Sequence, residues 1–141
     1  MISARQQELE DFRSETPQAY YRYLDGILVI EIKSEMIIDF ANARRIERFR
    51  REMTLGTDVP VLLLIPPSYL LFDKEAFQFF GSEEGMEGCL AKAIVMKAPL
   101  RVLLRNFSLS FYRQPIPLRM FLSKSEAKMW LFDRLIETIK E

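Results

Sequence analysis

The sequence predicts an α/β domain, a mixed, mostly parallel five-stranded sheet opened by an N-terminal β-hairpin and covered by about four helices. Three observations point there. Two β-prone runs flank an Asp25-Gly26 pair. The runs Val61-Leu62-Leu63-Leu64-Ile65 and Ala93-Ile94-Val95-Met96 are apolar without alternation. The segments between the strands repeat apolar residues at spacings of three and four.

Taken in order, residues 1–15 read as a polar lead-in, and residues 16–141 as one domain, since 141 residues leave no room for a second. Tyr20–Leu24 and Ile27–Ile32 around Asp25-Gly26 form the hairpin, because that dipeptide supplies the two positive φ angles of a tight turn. Asp39 caps a helix reaching about Met53, with Ala43, Ile46, Phe49 and Met53 inward. Arg44, Arg45, Arg48 and Arg51 lie outward, with Glu47 and Glu52 spaced for i,i+4 pairs to Arg51 and from Arg48. Gly56 ends that helix. Val61–Ile65 is a strand covered on both faces. Asp73 caps a helix through Phe77 and Phe80, and a short turn starts near Ser82. Lys92–Lys97 is the next strand, and Pro99 opens a helix with Leu100, Leu103, Leu104, Phe107 and Phe111 on one face. Leu118–Leu122 is the last strand. Ser123-Lys124-Ser125-Glu126 is a capping box before a final helix, with Ala127, Trp130, Leu131 and Leu135 inward.

Composition narrows function by exclusion. There is no histidine, so neither a Ser-His-Asp nor a Cys-His nucleophile system can be built, and His-ligated metal is excluded. Twenty basic residues balance twenty acidic ones, so no net field draws the chain to nucleic acid. One cysteine, Cys89, allows no intrachain disulfide and fits a reducing compartment. The acidic start is no signal peptide, and Val59–Phe72, broken by prolines, is too short to span a bilayer. The expected location is the cytoplasm.

The element order, with Pro99-Leu100, Asn106-Phe107, Pro115-Ile116-Pro117-Leu118-Arg119-Met120-Phe121 and the closing Glu126-Ala127 with Trp130-Leu131, resembles the STAS (SpoIIAA-like) domain family. The nearer likeness is to small bacterial proteins of the STAS-like or STAS/SEC14-like group, over roughly residues 20–135. The resemblance implies a domain, often dimeric, that binds partners or small ligands rather than catalysing a reaction. In the antagonist branch a partner kinase phosphorylates a serine in an Asp-Ser-Ser/Thr-Gly turn. The matching positions here are Asp73, Lys74, Glu75 and Ala76, with no hydroxyl to modify, so the phospho-switch is not carried over.

Each candidate for chemistry has a plainer explanation. Gly81, Gly85 and Gly88 sit among Glu83, Glu84 and Glu87, whose charge would repel a phosphate; the segment reads as a solvated acidic turn, not a metal site. The arginines at 44, 45, 48, 50 and 51 read as a salt-bridged helix face. Cys89 reads as a buried, inert small hydrophobe. Asp25, Asp39, Asp73 and Glu75 fall near element ends, but nothing pairs them, so no catalytic residue, cofactor site or metal site is assigned. The informative signal is apolar surplus: Tyr69, Leu70 and Phe72 in a loop, Val102 and Leu109 opposite the inward face of their helix, and Met129, Phe132 and Ile136 widening the last stripe. Such a surplus makes either a homodimer interface or a thicker core. The expectation is a non-catalytic STAS-like binding or scaffold domain, homodimeric, with an unidentified protein partner. The alternative is a SEC14-like lipid or small-ligand module with a pocket of Leu70, Phe72 and Phe107.

Overall fold

The Asp25-Gly26 pair sets the first register of the sheet. Both residues take positive φ, 56° and 81°, and Leu24 pairs directly with Ile27 across a two-residue turn. The computed structural model describes residues 13–34, 36–66, 74–96 and 116–140. Its strands are β1 (Arg13–Glu15), β2 (Ala19–Leu24), β3 (Ile27–Ile32), β4 (Val59–Leu64), β5 (Cys89–Val95) and β6 (Leu118–Phe121). Its helices are α1 (Phe40–Thr54), α2 (Lys74–Phe80), α3 (Glu83–Met86) and α4 (Lys124–Lys140). The Pro99 helix, the Asp73 cap and the apolar candidates Tyr69, Leu70, Phe72, Val102, Phe107 and Leu109 lie outside the described residues.

The α/β expectation holds, with one strand more than the five expected. The sheet has six strands in the order β1-β2-β3-β4-β5-β6. The extra strand, β1, comes from the end of the polar lead-in and pairs antiparallel with β2, Ser14 opposite Tyr21. β2 and β3 are antiparallel, and β3 through β6 run parallel. Because the parallel strands advance in one direction, right-handed crossovers put their linking helices on one face. α1 and α2 accordingly pack together there, over Leu28, Ile30, Val61, Leu63 and Ile94. α4, which follows the last strand, covers the opposite face with Ala127 and Leu131 against Leu62, Ala91 and Ala93. The result is three layers around a doubly covered sheet.

Strand alternation divides the side chains between those layers. In the hairpin, Ala19, Tyr21 and Tyr23 are buried under α1, while Tyr20 and Arg22 face water. β4 and β5 are buried on both sides, which explains their unbroken apolar runs. Pro60 occupies a central strand only because the β4–β5 register shifts between Val59 and Pro60.

The caps follow the expected chemistry, with one shift at α1. Asp39 accepts from the Asn42 N–H at 2.8 Å, and Ser82 caps α3 by accepting from Gly85 at 3.1 Å. At the other end of α1 the left-handed position is taken by Leu55 (φ 47°) ahead of Gly56 (φ 80°). The helix therefore stops one residue before glycine alone would stop it, and Leu55 is left exposed.

Gly26 serves two constraints at once. Its φ of 81° is unfavourable for other residues, and a Cβ there would sit 2.9 Å from Leu135 Cδ2 of α4. Gly26→Ala should lower stability by about 1–2 kcal/mol, read from the urea midpoint at unchanged slope.

Candidate functional site

Helix α1 carries two charged residues on its inner face. The buried positions are Ala43, Ile46, Glu47, Arg50, Met53 and Thr54, so Glu47 and Arg50 share the apolar stripe. Strand β5 aims Lys92 at the same spot, on the face that also carries Ile94 and Met96. All three side chains are 0% exposed. This cluster is the most concentrated chemistry among the described residues, and the sequence reading missed it.

Its geometry is nearly saturated. Glu47 accepts from Arg50 Nε through Oε2 at 2.5 Å and from Lys92 Nζ through Oε1 at 2.6 Å. Lys92 spends its other two donors on the carbonyls of Phe80 (2.9 Å) and Gly85 (2.8 Å). Arg50 Nη2 donates to the carbonyls of Gly85 (3.2 Å) and Glu87 (2.7 Å), and only Arg50 Nη1 has no hydrogen-bond partner. Gly85 makes the approach possible, because a Cβ on it would lie 2.0 Å from the Phe79 carbonyl oxygen. It is a close-packing glycine.

Electrostatics settle the protonation. Burial pushes the Glu47 carboxyl up, but the positive charges of Lys92 and Arg50, with their hydrogen bonds, outweigh it and hold its pKa below the usual carboxylate value. Burial lowers the Arg50 pKa, and the Glu47 charge more than restores it, so the net shift is upward. Burial raises the Cys89 thiol despite the nearby Lys92 and Arg50, which keeps it protonated. Tyr21 rises to about 12, chiefly through burial. A fixed carboxylate, two fixed cations and a neutral thiol, all closed to solvent, can clamp helices to a sheet. They offer no open position for a substrate.

Three sequence expectations are corrected here. The Glu47–Arg51 pair does not form: Glu47 points inward, and Arg51 Nη1 instead donates to the Glu84 carbonyl at 2.9 Å. The Arg48–Glu52 pair is not made either. Arg50, counted with the outward basic face, is buried because its position repeats that of Ala43 and Ile46. The positions of Cys89, Asp39 and Asp25 agree with the sequence reading. Cys89 is buried and free, at the start of β5. Asp39 is a cap and Asp25 a turn residue. Among the described residues no group of three Cys, Asp or Glu is placed to hold a metal, and no helix is long and apolar enough to cross a membrane.

The surface candidates on α4 divide. Ala127, Leu131 and Leu135 face the sheet, and Trp130 packs half-buried against Phe121 at 5.7 Å between ring centroids. Phe132 is half-buried against that same core, so it thickens the core. Met129 and Ile136 remain exposed, joined by Ile139.

A family model described as a domain of unknown function, DUF7793, matches residues 21–134. The chain belongs to this family. The match runs from β2 into α4, so it takes in the buried cluster and Met129 but ends before Ile136 and Ile139. No curated protein and no solved structure matches the chain.

Lys92→Met leaves Glu47 half-paired and takes the Lys92 donor from the Phe80 carbonyl, and should cost about 3–5 kcal/mol. Removing the exposed Arg134–Glu137 pair should cost under about 1 kcal/mol in the same urea titration. Glu47 also sets a pH dependence. Its folded pKa lies below the unfolded value near ~4.3, so its stabilisation is complete above that value and is lost as pH falls through the folded pKa. The stability gap between wild type and Glu47→Gln should therefore be widest near neutral pH and narrow in acid. A gap independent of pH counts against a charged Glu47.

Proposed function

We propose that the domain is a non-catalytic, STAS-like binding module acting through protein–protein contacts in the cytoplasm. The observation that carries this reading is the outer face of α4. Met129 is 68% exposed, Ile136 47% and Ile139 45%, with Phe132 at the border of the same stripe. Helical spacing puts Met129, Ile136 and Ile139 on one line turned away from the sheet, with Phe132 at its inner edge. A helix presenting such a line fits an apolar groove on a partner protein, with the anchors spaced as in helix-in-groove recognition. A contiguous exposed apolar patch of this kind is a usual mark of an interaction site.

Two further features support a binding role. The concentrated ionisable cluster is spent on holding the fold. The opening hairpin, the mixed sheet and the closing helix are consistent with the STAS-like resemblance. Lys74, Glu75 and Ala76 open α2 where that family's switch branch carries hydroxyls, so this reading needs no phosphorylation step.

Photo-crosslinking side chains placed at Met129 and Ile136 in cells should yield one discrete protein adduct. The same group at Glu126 or Glu137, turned off that line, should not. Met129→Glu with Ile136→Glu should abolish that adduct while leaving the circular dichroism spectrum and urea midpoint within about 0.5 kcal/mol of wild type. Equal labelling at all four positions would remove α4 as the contact.

A further inference from the structure

Two patches of opposite charge meet at Phe40, in the first turn of α1. Phe40 is 43% exposed and stands edge-on to Phe79 of α2, with ring centroids 5.2 Å apart. To one side opens a groove of about 800 Å³ with Phe79 and Ile116 at its floor and Glu83, Glu84 and Glu87 along its rim. To the other lies a depression of about 210 Å³ lined by Ala41, Arg44, Arg45 and Arg48, and Phe40 borders both.

The seam between them is the pair Arg44 Nη2–Glu84 Oε1 at 3.5 Å, both half-exposed. Away from the seam the charges are unspent. Arg45 reaches only the Asn42 amide oxygen, at 3.0 Å. Arg48, Glu83 and Glu87 form no side-chain ion pair with any described residue, and all three are exposed. The same fold element fixes both rims, since Arg51 of α1 donates to the Glu84 carbonyl and holds α3 beside α1.

We propose that this saddle is a self-complementary interface for a second copy of the chain, paired about a two-fold axis along the Phe40–Arg44 seam. A two-fold axis brings each patch of one copy against the opposite side of the same surface on its partner. Here that operation sets Glu83 and Glu87 against the partner's Arg45 and Arg48, twice over, with the two Phe40 rings at the centre. An aromatic centre inside a charged rim is the arrangement in which the centre supplies affinity and the rim supplies orientation and salt sensitivity. A polyanion would be repelled by the acidic half and a basic peptide by the arginine half. A second copy satisfies both. The inference rests on the chain being a protein-binding module, but it uses a different face from α4, so each dimer leaves two α4 stripes free.

The test is a charge exchange read by light scattering. Wild type should show twice the chain mass at low salt and move toward the single-chain mass as salt rises. Arg45→Glu with Arg48→Glu, and separately Glu83→Lys with Glu87→Lys, should each halve the mass while keeping the wild-type circular dichroism spectrum. Mixed in equal amounts, these two variants should return to the doubled mass, because one then has two acidic rims and the other two basic ones. Wild type at single-chain mass under all conditions overturns the proposal. So does a doubled mass that survives both reversals, or a mixture that fails to pair. Met129→Glu with Ile136→Glu should keep the doubled mass. If that variant alone becomes single-chain, the second copy sits on α4, and the saddle proposal falls while the binding-module reading survives.

Discussion

A buried carboxylate shared by two buried cations is the constraint on which the α1 face of this fold depends. Glu47 cannot be removed from water unless both oxygens are met by positive donors, and it meets them on two different elements, α1 and β5. Lys92 and Arg50 then take up the carbonyls of Phe80, Gly85 and Glu87. One carboxylate thereby fixes the height of α1 over the sheet, the close approach of α2 to α3, and the path of the chain into β5. A purely apolar contact would hold these pieces together as strongly but would let them slide. Directional hydrogen bonds to one carboxylate do not.

Much of the architecture was legible because it rests on short-range rules. The Asp25-Gly26 turn, the Asp39 and Ser82 caps and the double-sided runs of β4 and β5 all follow from backbone chemistry and side-chain period. The buried cluster was not read, although its signal was present. Counting from Ala43, the inward positions of α1 are 46, 47, 50, 53 and 54, and two of them are charged. Assigning charge to solvent hid this, because a carboxylate enters a core only when paired, and the partner Lys92 lies 45 residues away. β1 was missed for a related reason. Arg13–Glu15 has no β-pattern of its own and becomes a strand only by pairing with the edge of β2.

The candidate surfaces show the same division between local and non-local information. Met129 and Ile136 were legible as surplus on a helix whose inward face was already full. The saddle at Phe40 was not, because it joins the start of α1 to residues 83–87, which only the packing of α2 and α3 brings alongside. Chemistry and recognition are also separated in space. The ionisable groups with perturbed pKa values are interior, and the unspent charges and apolar side chains are exterior.

The strictly sequential strand order governs how the molecule is made. Each strand lies beside the one synthesised just before it, so a chain emerging from the ribosome always finds its neighbour in place. The hairpin is the most local pairing of the sheet after β1–β2, and each parallel strand needs a longer crossover to reach its neighbour. The exception to this orderly growth is the charge centre. Until β5 arrives, Glu47 has only Arg50, three residues along its own helix, and both must stay hydrated. Desolvation of α1 is thus deferred until Lys92 is in hand, and the same event that completes the ion cluster expels water from this layer of the protein.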